Sequence, residues 1–145
     1  MSDSFVAVEH NELRPNLLEP RKGNIRVLIA DDYEPMALAL KRGLVSDCDV
    51  VGIVADGRGV MPALTELKPD VVVVDVNLPG INGLELCRHI TRATPHPKVI
   101  VITGLPDPEI KAFALSAGAA AFLAKADVGV ELLVAIHSAL GAGEQ

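Results

Sequence analysis

The 145-residue sequence contains no tryptophan, one tyrosine and three phenylalanines, so its core cannot be organised around aromatic rings. Val, Leu, Ile and Ala must fill it, because half of the residues are hydrophobic, and an aliphatic interior suits a parallel sheet buried on both faces. Cysteine is also scarce. Cys48 and Cys87 fall in different expected elements without Cys-x-x-Cys spacing, which argues against a disulfide framework and a thiolate zinc site. Positive charge is in deficit, with 13 Lys and Arg against 19 Asp and Glu for a net charge of −6. No basic stripe appears, and a protein working mainly on the phosphate backbone of nucleic acid is disfavoured. No apolar run approaches the roughly 20 residues of a membrane span. The start, Met1 to Glu9, lacks the basic segment and sustained apolar run of a secretory signal. A cytoplasmic protein without membrane association is the expectation. The four histidines, His10, His89, His96 and His137, are dispersed, without metal-ligand spacing, and read as surface residues.

What is present is organised. Residues 1–23 mix charges with Pro15 and Pro20 around short apolar pairs and read as a flexible extension; residues 24–142 form the folded unit and 143–145 a tail. From Ile25 onward, apolar runs of strand length alternate with helix-period segments, the pattern of repeated βαβ units. Five parallel strands are expected at 25–30, 50–54, 71–75, 99–103 and 121–124. Helices are expected at 34–46, 59–67, 83–94, 108–117 and 128–140. Asn82 and Asp107 stand where N-caps belong, and Pro108 follows at the first helical position. On the last helix Leu132, Leu133, Ile136 and Leu140 make a core stripe. Val130 and Val134 fall on the opposite side, either as a homodimer seam or as singly exposed apolar residues. Right-handed crossovers put helices on both faces of such a sheet, with the ligand crevice at the carboxyl ends of the strands.

At those ends stand Asp31 and Asp32 after the first strand, Asp75 closing the third, Thr103 closing the fourth and Lys125 after the fifth. Carboxylates brought together repel one another unless a cation is supplied. A hard ion such as Mg²⁺ (or Mn²⁺) suits two or three aspartates plus phosphate oxygens. Thr103 can donate its hydroxyl to a phosphoryl oxygen, and Lys125 can neutralise charge as a mobile cation. Taken alone, Asp31 and Asp32 read better as a turn or N-cap leading into the helix at Glu34. Asp75 at the end of four valines is harder to read that way, since a buried carboxylate needs a partner. Pro79, Gly80 and Gly83 supply turn geometry after it.

The stretches Val-Leu-Ile-Ala-Asp31-Asp32, Pro69-Asp-Val-Val-Val-Val-Asp75-Val-Asn-Leu-Pro79-Gly80-Ile-Asn-Gly83, Ile-Val-Ile-Thr103-Gly104 and Ala117-Gly118-Ala119-Ala-Ala-Phe122-Leu-Ala-Lys125, taken together, resemble the receiver domain of two-component response regulators. The style is closest to the subfamily often linked to helix-turn-helix output domains. The likeness runs from about Ile25 to Leu140. It implies an α/β, flavodoxin-like, doubly wound five-stranded parallel sheet in strand order 2-1-3-4-5, with helices on both faces. It further implies that Asp75 accepts a phosphoryl group from a histidine kinase or histidine phosphotransfer protein. Asp32, Asp75 and the backbone carbonyl of Asn77 would bind Mg²⁺, with Asp31 acting through a coordinated water. Thr103 and Lys125 would contact the phosphoryl oxygens, and Thr103 and Phe122 would move as the switch, changing partner binding or dimerisation. Such a domain is a phosphoacceptor with at most weak self-catalysed phosphorylation and dephosphorylation.

Two positions depart from the common pattern of that family. Ala126 replaces a proline often joined to the Lys by a cis bond; a cis non-proline bond costs roughly 2.5–4 kcal/mol, which leaves a trans bond or a strained loop. Leu105, two residues beyond Thr103, cannot orient water, and slow autodephosphorylation is expected. Two other readings compete. An aspartate-nucleophile phosphohydrolase also forms an acyl phosphate, but its nucleophile usually sits in Asp-x-Asp after the first strand. An interaction module that has lost phosphorylation is opposed by the complete Asp, Thr and Lys set. Only Gly-Ala-Gly-Glu-Gln follows Leu140, so direct nucleic-acid binding by this chain is not expected.

Overall fold

The computed structural model describes residues 5–7 and 24–143. Five parallel strands form the sheet as expected: β2 (Ile25–Ala30), β3 (Cys48–Val54), β4 (Val71–Asp75), β5 (Lys98–Thr103) and β6 (Ala121–Ala124). A short strand the sequence reading did not anticipate, β1 (Phe5–Ala7), pairs antiparallel with β3 at one edge. The spatial order is β1-β3-β2-β4-β5-β6, so the five parallel strands, counted by themselves, run 2-1-3-4-5. Apart from β1, the stretch read as an extension lies outside the described residues.

The apolar strands divide the interior by their two-residue period. Leu28, Ala30, Val72, Val74, Val99 and Val101 point into one cluster, covered by α2 (Val60–Leu67), α3 (Gly83–Arg92) and α4 (Pro108–Ser116). Val27, Ile29, Val71, Val73, Ile100 and Ile102 point into the other, covered by α1 (Glu34–Leu44) and α5 (Val128–Gly143). Continuous valine and isoleucine runs are thus what a sheet with two dry faces requires. On α5, Leu132 and Ile136 are buried, whereas Val130 and Val134 are exposed.

The element ends follow local chemistry. Asn82 Oδ1 accepts the Glu85 amide at 2.9 Å and Asp107 Oδ1 the Glu109 amide at 2.7 Å, capping α3 and α4. Helix α3 stops two residues short of the expected boundary because Ala93 turns extended ahead of Thr94-Pro95. Strand β3 begins two residues early, because Cys48 and Asp49 pair with Ile25 and Arg26. A single 3₁₀ turn, Gly57–Gly59, precedes α2. In register, Ala30 lies beside Val74, Asp75 beside Ile102 and Thr103 beside Ala124. The polar residues that follow these apolar runs are delivered to one edge.

Candidate phosphoryl and metal site

Asp31 and Asp75 are buried while Asp32, between Asp31 and Tyr33, is exposed. One carboxylate oxygen of each lies within 4.8 Å of the others. Asp31 Oδ1 accepts the Tyr33 amide at 2.9 Å, an Asx turn that leads the chain into α1. Its Oδ2, wholly buried, receives no well-aligned hydrogen bond; the Lys125 ammonium stands 3.1 Å away. Asp75 Oδ1 accepts the Asn77 amide at 3.2 Å, and Asp75 Oδ2 accepts from Lys125 Nζ at 3.2 Å. Lys125 therefore bridges two aspartates across the crevice.

Burial pushes the Asp31 carboxyl above its ordinary value, against the opposing pull of the Tyr33 amide and Lys125. Burial acts on Lys125 in the opposite sense, but the neighbouring Asp31 and Asp75 outweigh it and raise its ammonium pKa. The site thus holds two buried carboxylates, an exposed third and one cation. A buried carboxylate oxygen without a well-aligned donor, beside two more hard oxygens, fits a small divalent cation.

The other expected residues are placed as follows. Thr103 is buried at the end of β5, and its hydroxyl is occupied by Leu105, accepting from the amide at 3.2 Å and donating to the carbonyl at 3.3 Å. Phe122 lies on β6, half-buried against the cluster under α2, α3 and α4. Lys125 opens a 3₁₀ turn, Lys125–Asp127. Among the described residues the one cis peptide bond is Thr94–Pro95. Lys125–Ala126 is accordingly trans, and the lysine still reaches both aspartates. Leu105 projects into solvent, 78% exposed, at the lip of the crevice.

Close packing shapes the loop after Asp75. A Cβ on Gly83 would stand 2.4 Å from the Asp75 carbonyl oxygen, so only glycine lets α3 start directly beneath the acidic residue. The sequence reading overlooked the β3–α2 loop, where Asp56, Gly57 and Arg58 abut this same segment. An Asp-Gly pair just before a helix was the available signal. Asp56 is held by the Arg58 guanidinium, which lowers its carboxyl to about 2.

Comparison with known proteins agrees with this geometry. The family model described as response regulator receiver domain matches residues 27–137. The response regulator GacA of Pseudomonas viridiflava is 37% identical over 116 residues, covering 78% of this chain and 54% of that protein. The transcriptional regulatory protein LiaR of Bacillus subtilis is 34% identical, covering 79% of this chain and 56% of that one. The chain spans about half the length of these curated relatives. Among solved structures, the response regulator domain of Thermotoga maritima CheB superposes with a TM-score of 0.75 at 34% identity, covering 81% of this chain and 97% of that one. The BeF3-activated N-terminal receiver domain of Klebsiella pneumoniae RstA gives 0.71 at 26% identity, covering 79% and 97%.

Proposed function

The chain belongs to the response regulator receiver family of two-component systems, and from that premise we propose that Asp75 is its phosphoacceptor. The observation that carries the reading is the Lys125 ammonium, 3.2 Å from Asp75 Oδ2 and 3.1 Å from Asp31 Oδ2, at the carboxyl edge of the sheet. An Asp75 oxygen attacks the phosphorus of phosphohistidine on a kinase or phosphotransfer protein, or of a small acyl phosphate. The new O–P bond forms as the donor's P–N or P–O bond breaks, and the leaving group departs with that electron pair. Catalysis here is positioning and charge neutralisation.

Asp31, Asp32, Asp75 and the Asn77 carbonyl are the groups that would hold Mg²⁺ or Mn²⁺, Asp32 directly and Asp31 through water. When bound, the ion offsets the negative charge that collects as phosphate approaches three carboxylates. Lys125 exchanges its contact with Asp75 for a phosphoryl oxygen. Thr103 leaves Leu105 to donate its hydroxyl to another, and Phe122 follows into the space vacated. The two packings differ by one covalent group, which biases their populations and so alters partner binding or dimerisation. Leu105 offers no group to orient water, so the acyl phosphate is long-lived; a half-life of seconds in Mg²⁺ buffer would refute this.

Intact mass after incubation with Mg²⁺ and a small acyl phosphate tests the whole reading. Wild type should gain one phosphoryl group and Asp75→Ala none. Donor turnover without accumulation would indicate a phosphohydrolase, and no change would indicate a module that works without phosphorylation. Kinase docking, dimer formation and a cytoplasmic location belong to this proposal as well. Among the described residues no helix is long and apolar enough to cross a membrane.

A further inference from the structure

Resting on the reading of Asp75 and its metal, we infer that the Arg58–Asp56 pair is a clip that positions the Asn77–Gly80 loop for metal binding. Two backbones meet here without side chains between them. The Gly57 amide donates to the Pro79 carbonyl at 2.7 Å, and a Cβ on Gly57 would come within 2.0 Å of the Ile81 carbonyl oxygen. Gly80 has φ of +84°, and a Cβ there would stand 2.3 Å from Asp56 Oδ1 and 3.1 Å from Arg58 Nε. The carboxylate is therefore pressed against the Gly80 backbone.

Arg58 holds it in that place. Its amide and Nε donate to Asp56 Oδ1 at 2.7 and 2.9 Å, and its Nη2 donates to Oδ2 at 2.8 Å. The planar guanidinium fork fixes a carboxylate in orientation as well as position. At the other end of the same loop, the Asn77 amide is tied to Asp75 Oδ1 at 3.2 Å and the Gly83 amide to the Val76 carbonyl at 3.0 Å. The Leu78 amide, in the same peptide plane as the Asn77 carbonyl, donates to the Asp75 carbonyl at a long 3.3 Å, so the placement of Pro79 and Gly80 is the second constraint on that carbonyl. The Gly57 amide holds Pro79, and the clip packs against Gly80 from outside the crevice, as outer groups orient the ligands of other metal sites.

Charge and position predict opposite outcomes for one variant. Arg58→Ala removes a cation and leaves the Asp56 carboxylate unneutralised, so electrostatics alone would tighten a divalent ion. Loss of positioning weakens it instead. Arg58 is a surface side chain, 74% exposed, and its removal should leave the fold intact.

The test is Mn²⁺ binding, measured by the loss of the free-ion electron paramagnetic resonance signal. Thermal unfolding and the phosphorylation rate against Mg²⁺ are measured alongside. For Arg58→Ala the metal dissociation constant should rise roughly tenfold, with the maximal phosphorylation rate at saturating Mg²⁺ and the melting temperature unchanged. Gly80→Ala, which drives a methyl into Asp56, should weaken Mn²⁺ in the same direction. Unchanged or tighter binding in Arg58→Ala overturns the clip while the Asp75 reading stands. A wild type that neither binds Mn²⁺ nor gains a phosphoryl group overturns both.

Discussion

At the amino edge of the sheet, Asp70 and Arg26 are tied into the strands. The Arg26 amide donates to Asp70 Oδ2 at 2.9 Å, the Asp70 amide to the Arg26 carbonyl at 2.8 Å, and the Lys98 amide to the Asp70 carbonyl at 3.0 Å. The Arg26 guanidinium reaches the Leu67 carbonyl. At the carboxyl edge, Asp31 and Asp75 are more deeply buried, yet they share one ammonium, and Asp31 Oδ2 has no well-aligned donor. The same residue type is satisfied at one edge and left short of partners at the other. The first arrangement holds strands in register. The second leaves oxygen ligands available for a cation or a phosphoryl group, a capacity that complete internal pairing would remove.

The largest expected effect tests that division directly. Asp75→Ala abolishes phosphoryl gain by intact mass and leaves a cooperative fold, because it relieves a crowded site. If the variant still took up one phosphoryl group, the carboxyl edge would have been misread. Next, Mg²⁺ at 100 times its dissociation constant should stabilise wild type by about 2.7 kcal/mol, and Asp75→Ala much less, as read from urea midpoints. At the amino edge, Asp70→Ala removes the acceptor for the Arg26 amide. It should lower stability by about 1 kcal/mol with an unchanged urea slope, while the phosphorylation rate stays as in wild type. A slowed rate would mean that the two edges are coupled.

The smallest effect concerns buried groups that belong to neither edge cluster. Burial pushes the Cys48 and Cys87 thiols up to about 11 from an ordinary 9. The folded state keeps these protons longer than the unfolded one, so this contribution is fully present below pH 9 and is lost as pH rises towards 11. A Cys48→Ala, Cys87→Ala double variant should show a shallower fall in stability across that interval. Equal slopes would place the thiols in contact with water.

Much of this is legible in the sequence. The valine run 71–74 ending in Asp75 announces a strand dry on both faces that carries an acid to its end, and Asn82 and Asp107 announce their helices. Harder to read were features that depend on meetings across the fold. Cys48 and Asp49 extend β3 only because β2 offers a partner. The Thr103 hydroxyl bonds both the amide and the carbonyl of Leu105, a pairing that its place at a strand end does not announce. Asp56 and Arg58 carry no local hint that Gly80, more than twenty residues away in the chain, will lie against them.

By itself the sequence determined the alternation of strands and helices and the polar residue at each strand end, because both follow from two-residue and 3.6-residue periods within short windows. Tertiary structure alone decided how those ends share charge: that Lys125, with Ala126 after it and a trans bond, spans Asp31 and Asp75, and that the Asp31 oxygen facing it receives no well-aligned hydrogen bond. Such facts depend on distances of about 3 Å between residues far apart in the chain, and only packing sets them.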